Sequence, residues 1–347
     1  LSLLVPPTEE SSPKKSWKSW LTLAAKIVIF LVVVAGVWWN VSKAVQDMGA
    51  HGESVGAIQW QWLVVAGAIY ALASLPMASY WYFVLRALGQ QPSYGMAVRA
   101  FFIGHLGKYV PGKAMVVVLR TSLIQGPHVE KTVAVVAVFI ETLTMIAVGA
   151  AYSGVILAVL FREQTILLAV AAALGLCAFV PTLPPIFRKV IVLLRITRLN
   201  PRLEEHMHGL NYGLMGIGWV FYFIAWTLMG LSYLAAMRSI PGAVAAAPEM
   251  WQTLPLLIAS VALAMIAGFV SLLPGGFGIR ELILMQLTAP VFGRPVAVVS
   301  AVLLRVSWMV AEIVISIILY ILPFALSRRK AADAPVDDSV PTPPIAR

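Results

Sequence analysis

Cysteine, histidine and acidic residues are scarce in this chain, and their scarcity removes several classes of function. The single cysteine, Cys177, lies in an apolar run, so neither a disulfide framework nor a thiolate metal cluster can be built. The four aspartates, Asp47, Asp333, Asp337 and Asp338, all fall outside the glycine-rich motifs described below. The pair His206 and His208 has alternate spacing with no carboxylate cluster nearby, which reads as a polar loop rather than a metal site. No metal, no cofactor and no catalytic residue is therefore expected.

What the chain does have is apolar sequence. Of 347 residues, 60% are hydrophobic and only 12% charged, and the mean hydropathy is +0.88. That balance belongs to a multispanning membrane protein rather than a soluble domain. The net charge of +10 does not signal nucleic acid, because the Lys and Arg residues fall in short loops between apolar runs, where they set membrane orientation.

A bilayer span needs about 20 apolar residues. Such runs occupy 21–39, 62–85, 132–160, 165–186, 214–237 and 251–273, and a longer one covers 295–326. The stretch 279–292 is shorter, yet too apolar for a loop, and reads as a short or broken span. Six basic residues between Arg86 and Lys131 face a single Glu130, and the connection from Arg188 to Arg202 is also basic, so both belong on the cytoplasmic side. The basic clusters near each end agree, which puts both termini inside and demands an even number of crossings. The expected fold is all-α: a polytopic integral protein of the inner (plasma) membrane with about eight spans, some broken or re-entrant. The expected divisions are a cytoplasmic segment at 1–19, the transmembrane domain at 20–326 and a disordered cytoplasmic tail at 327–347. Trp60, Trp62, Tyr80, Trp81 and Tyr82 read as interfacial belt residues.

Two stretches interrupt the apolar pattern with glycine, proline and fixed charge. The first runs Gly104-His105-Leu106-Gly107-Lys108-Tyr109-Val110-Pro111-Gly112-Lys113, and the second Leu273-Pro274-Gly275-Gly276-Phe277-Gly278-Ile279-Arg280-Glu281. Irregular backbone within a bilayer is tolerated only where protein buries it or where it lines a watery cavity. The region 96–123 is expected to form a re-entrant hairpin turning over 109–112, and the second stretch to break a helix in a comparable place. Paired interrupted segments in two halves of a chain point to a transport site between inverted repeats.

The charged members of these stretches divide into guides and counter-charges. Lys108, Lys113 and Arg120 would offer cations to a phosphate near the free amides of a half-helix, and Arg280 a guanidinium able to fork onto it. Glu281 suits the first turn of its helix as a cap. Glu141 and Arg305 each fall about 15 Å into a span from opposite ends at helical rise. They are expected to meet at mid-depth as an interior ion pair, with Glu312, two turns beyond Arg305, as an alternative partner or a proton-coupled carboxylate.

In their order and spacing, these residues resemble the family defined by the transmembrane region of bacterial lysylphosphatidylglycerol synthases, with its stand-alone YbhN-like and AglD-like members. The anchors are the two motifs with Arg120, Glu141 and Arg305. The resemblance implies a flippase-like domain with re-entrant segments, which in the full synthases moves aminoacylated phosphatidylglycerol. Family members often follow the third-span Glu with Arg and then Asp, where this chain has Thr142-Leu143-Thr144-Met145 after Glu141. The 347 residues contain no long soluble domain of the aminoacyl-transferring kind, so lipid synthesis is not implied.

The expected function is a lipid flippase or transporter that moves a phospholipid or lipid-linked headgroup through a polar cavity. Its substrate contacts are Lys108, Lys113, Arg120, Arg280 and Arg305, and its structural or gating residues are Gly107, Pro111, Gly112, Glu141, Pro274, Gly275, Gly276, Gly278, Glu281 and Glu312. A lysylated headgroup fits poorly, since acidic contacts come only from Glu141, Glu281 and Glu312. The alternative is an integral-membrane transferase acting on lipid-linked substrates, which the absence of a carboxylate cluster disfavours. A homodimer or a separate lipid-modifying enzyme are the protein partners left open; nucleic acid is not one.

Overall fold

A computed structural model describes residues 58–109, 114–124, 126, 128–160, 209–243, 249–271 and 276–332, with isolated positions between 169 and 189. The expected segment 1–19, the first span at 21–39, most of the run at 165–186, Cys177, His206, His208 and the tail beyond 332 lie outside the described residues. Within them, eight α-helices run in order: α1 Trp60–Ala87, α2 Tyr94–His105, α3 Ala114–Ile124, α4 Lys131–Leu160, α5 Tyr212–Arg238, α6 Met250–Val270, α7 Ile279–Phe292 and α8 Arg294–Ala332. A 3-10 turn, Leu106–Tyr109, follows α2 directly. The protein is all-α and polytopic, and α1, α4, α5, α6 and α8 are long and apolar enough to cross a bilayer.

Local chemistry explains where these helices start. Ser93 accepts a hydrogen bond from the Met96 amide at 3.3 Å, and Asn211 accepts one from the Leu214 amide at 2.8 Å, so each satisfies an orphan donor of the first turn. Hydroxyls then lock helices together at depth. Ser232 on α5 donates to the Ala66 carbonyl of α1 at 2.7 Å, and Trp308 Nε1 on α8 donates to the Ser232 hydroxyl at 2.8 Å. The α1 and α8 faces carrying Val64, Leu72, Leu75, Val310, Val314 and Ile318 are exposed, as lipid-facing surface should be in a multi-pass membrane protein.

Contacts between helix ends sort the ends onto two sides of the bundle. The Gln59 amide before α1 donates to the Ser239 carbonyl after α5 at 2.9 Å. Ile240 and Ala243 in turn pack with Val298 and Val299 near the start of α8. These ends define one side. On the other, Gln91 N donates to His128 O at 3.1 Å and Glu130 N to Gln90 Oε1 at 2.7 Å, so the chain before α2 and the chain after α3 lie together. Helices α2 and α3 therefore enter and leave through the same face. At about 1.5 Å per residue, their 12 and 11 residues reach only about 18 Å, short of the roughly 30 Å hydrocarbon layer. The hairpin expected at 96–123 is thus seen as two short helices with both outer ends on one side, and all of its expected turn beyond Tyr109 lies outside the described residues.

Helices α6 and α7 form a second hairpin from the opposite side. A single residue, Gly293, separates α7 from α8, so α7 ends on the side where α8 begins, and α6 starts there after α5. The 14 residues of α7 span about 21 Å, which places its first turn about that deep below the surface. Two hairpins of opposed direction thus bury the described glycines nearest their tips, Gly107 and Gly276, within the bundle. The belt assignment needs correction: Tyr80 and Trp81 are buried in the core, whereas Trp60 is exposed. They lie on the α1 stripe that faces α5, α4 and α2, where packing removes them from the interface.

Candidate functional site

The tip of the first hairpin is held by contact between main chains. A Cβ added at Gly107 would stand 2.7 Å from the Val116 amide nitrogen and 2.8 Å from the Met115 carbonyl carbon, so the turn closes on α3 only because no side chain intervenes. That closure carries Lys108 and Tyr109 to Glu312 on α8. Tyr109 donates to Glu312 Oε2 at 2.9 Å. Lys108 and the Tyr70 hydroxyl of α1 both donate to Oε1. The Lys108 ammonium also lies 5.2 Å from the centroid of the Tyr109 ring. Glu312 is thus a buried carboxylate with three donors, one of them charged.

A second ion pair lies nearer the mouth of the same hairpin. Arg120 on α3 donates through Nη1 to Glu141 Oε2 at 2.8 Å, and both side chains are only 3% exposed. Tyr222 of α5 donates to the other Glu141 oxygen. Arg120 Nη2 faces His105 Nδ1 at 3.0 Å. A guanidinium can only donate, so that ring nitrogen is the acceptor and the imidazole proton sits on Nε2. The Arg120 guanidinium stacks 4.0 Å from the Phe101 ring centroid, which shields it further. Helix packing therefore overturns the expected pairing of Glu141 with Arg305. Helical rise fixes depth along an axis but not direction around it. Glu141 faces α3 and α5, while Arg305 faces α7. Arg120, expected above among the substrate contacts, is in this structure a buried counter-charge to Glu141.

The second hairpin positions the remaining charges. Gly278 caps α7, and its amide donates to Glu281 Oε2 at 2.7 Å, while Glu281 Oε1 faces Arg305 Nε of α8 at 3.4 Å. Glu281 is therefore both cap and counter-charge. The Arg305 guanidinium lies 4.9 Å from the centroid of the Phe277 ring. Arg280, next in the chain to Glu281, is threaded between two glycines. A Cβ at Gly268 of α6 would be 2.5 Å from its Nε, and one at Gly276 would be 2.7 Å from the same atom. Gly276 also holds φ +68°, a conformation that other residues rarely adopt. Arg280 is 9% exposed, and its Nε and Nη1 have no hydrogen-bond partner among the described residues.

A cavity of about 20 Å³ opens beside these groups, lined by Arg280, Glu281 and Arg305 together with Met265, Leu304 and Trp308. Room for about one water is too little for a phosphate headgroup, so this conformation is closed. Trp308 joins the cavity to the first hairpin by stacking on Tyr70 at 4.4 Å between centroids, and Tyr70 holds Glu312. The two hairpin tips therefore share one charged layer. Among the described residues no group of His, Cys, Asp and Glu is arranged to hold a metal.

Of the residues singled out in the sequence, Pro111, Gly112, Lys113, Pro274 and Gly275 lie outside the described residues. Those reading the sequence would miss are Tyr70, Tyr222 and Gly268. Each sits singly in an apolar helix, and only the carboxylate or guanidinium it touches reveals its place.

No curated protein matches the chain at a significant level. A family model described as the lysylphosphatidylglycerol synthase TM region matches residues 23–325, an extent that includes both hairpins and every ion pair described above. The chain belongs to the lysylphosphatidylglycerol synthase TM-region family, and is a multi-pass membrane protein linked to lipid handling.

Proposed function

We propose that this protein is a lipid flippase or transporter, in which a headgroup crosses the bilayer through the charged layer between the two hairpin tips while its acyl chains stay in the hydrocarbon. The observation that carries this reading is the concentration of three cations and two carboxylates, Lys108, Arg280, Arg305, Glu281 and Glu312, at the meeting point of two opposed, broken helical hairpins. Charges at that depth are costly unless they pair or line a polar path. Pairing alone would need no turn of irregular backbone at mid-depth, and such turns persist where they border a cavity. In the closed conformation the carboxylates stand in for the substrate, and the cations become headgroup contacts as the layer opens. Lys113 joins Lys108 in this role, and Arg120 with Glu141 holds the hairpin in position. Both chain termini lie in the cytoplasm.

The test is reconstitution into vesicles carrying fluorescent phospholipids of several classes, with and without a proton gradient. A membrane-impermeant reductant reports which leaflet each lipid occupies. The wild type should render inner-leaflet lipid accessible, and Lys108→Ala should remove most of that activity while remaining folded by size exclusion. A folded wild type that moves no lipid class under either condition sinks the transport reading. Formation of a covalent product from a lipid-linked sugar donor would instead make the protein a transferase.

A further inference from the structure

We infer that Arg280 is the headgroup-reading residue of a chamber selective for anionic lipid phosphate, one that discriminates against headgroups bearing an ammonium group. This deepens the transport reading and rests on it. Every carboxylate buried in the charged layers is already engaged. Glu141 holds Arg120 and Tyr222. Glu281 holds Arg305 and its own cap amide. Glu312 holds Lys108, Tyr70 and Tyr109. An aminoacylated or ethanolamine headgroup would find no acceptor of opposite charge without breaking one of these sets. The cationic side is unbalanced in the other direction. Among the described residues of the hairpin tips three cations stand against two carboxylates, and the Arg280 side chain, more than nine-tenths buried, retains two N–H donors with no partner among those residues.

A buried guanidinium with unpartnered donors is expensive, because the desolvation of each N–H is not offset. Its persistence beside a cavity points to a ligand that satisfies it. The ligand class follows from donor geometry: a planar fork on a fixed shaft matches the paired oxygens of a phosphate or phosphodiester. The shaft is fixed by Gly268 and Gly276, which leave room for Arg280 and for nothing larger than hydrogen on their own side. Arg305, which also lines the cavity, supplies a second positive charge to the same space. Gly268 is by this account a positioning residue.

The experiment measures binding and movement separately. The full chain, purified in detergent, is titrated with short-chain phosphatidylglycerol, phosphatidylethanolamine, lysylphosphatidylglycerol and inorganic phosphate, with affinity read by calorimetry. Wild type should bind phosphatidylglycerol at least tenfold tighter than either ammonium-bearing lipid. Arg280→Gln should erase that preference, and Arg280→Lys should restore part of it. Gly268→Ala leaves every charge in place but crowds the Arg280 shaft. It should weaken phosphatidylglycerol binding likewise, and so keeps the test valid if Arg280→Gln does not fold. Equal or tighter binding of the lysylated lipid by wild type overturns the inference, as does unchanged phosphatidylglycerol binding in folded Arg280→Gln or Gly268→Ala. Inorganic phosphate binding as tightly as the lipid would mean a free-anion site and would also overturn it. In the vesicle assay, movement of phosphatidylglycerol and the lysylated lipid at equal rates sinks the selectivity alone, whereas movement of no lipid sinks the transport reading.

Discussion

Glu141 shows how much a buried carboxylate depends on a named partner. Its charge is tolerated because Arg120 lies 2.8 Å away and Tyr222 donates to the other oxygen. Removing one member of a buried ion pair leaves an uncompensated charge and typically costs about 3–5 kcal/mol, whereas removing both is often nearly neutral. Glu141→Gln should therefore lower stability by about 3 kcal/mol, and adding Arg120→Gln should recover most of the loss. Adding Arg305→Gln to Glu141→Gln should recover nothing, since Arg305 answers to Glu281. Thermal unfolding in detergent of six proteins, the wild type, the three single variants and the two double variants, closes both cycles. A coupling of Glu141 to Arg305 as large as that to Arg120 would contradict the packing described here. The Thr residues that follow Glu141 take smaller parts: Thr144 meets the Tyr80 hydroxyl at 3.2 Å, and Thr142 lies 3.4 Å from the Glu141 carboxylate. The cation for Glu141 is supplied across the hairpin by Arg120 rather than along its own helix.

Helix by helix, the sequence was legible wherever composition alone decides. The runs that become α1, α4, α5, α6 and α8 stand out by apolar length, and the short run at 279–292 was visible as something less than a full span. The first hairpin was legible because Gly104, Gly107 and the flanking charges break an apolar stretch that is too short to cross twice. Side-chain partners were not legible. A helix of near-uniform hydrophobicity carries almost no signal for which face meets which neighbour, so depth could be counted but azimuth could not. Glu141 and Arg305 were matched by depth and separated by direction. Gly107 gives a test at this scale. A methyl group there meets the α3 main chain at Met115 and Val116, which cannot rotate away as a side chain can. Gly107→Ala should cost about 1–3 kcal/mol of stability through overpacking, and should displace Lys108 from Glu312. Gly216→Ala, in α5 with no atom within 4 Å of the added Cβ, is the control and should be neutral or slightly stabilising. Equal melting temperatures for the two variants would show that the hairpin does not depend on that close approach.

Across the whole molecule, the arrangement that matters is opposition: one hairpin enters from each face, and Lys108 and Arg280, beside their tips, lie inside the bundle. Opposition follows from the shared helix ends and holds whichever way the protein sits in the membrane. Absolute orientation rests on the basic loops, which the positive-inside rule assigns to the cytoplasm. The two propositions separate in a labelling experiment. In a Cys177→Ser background, His128→Cys places a thiol in the exposed loop after α3, and Pro241→Cys places one in the exposed turn after α5. A membrane-impermeant maleimide applied to spheroplasts should label Pro241→Cys and spare His128→Cys until the membrane is permeabilised. The reverse pattern would invert the protein while leaving the opposed hairpins intact. Labelling of both positions before permeabilisation would place the two loops on one side. The α2–α3 hairpin and the α6–α7 hairpin would then enter from the same face, and no layer of charge between their tips would separate one leaflet from the other.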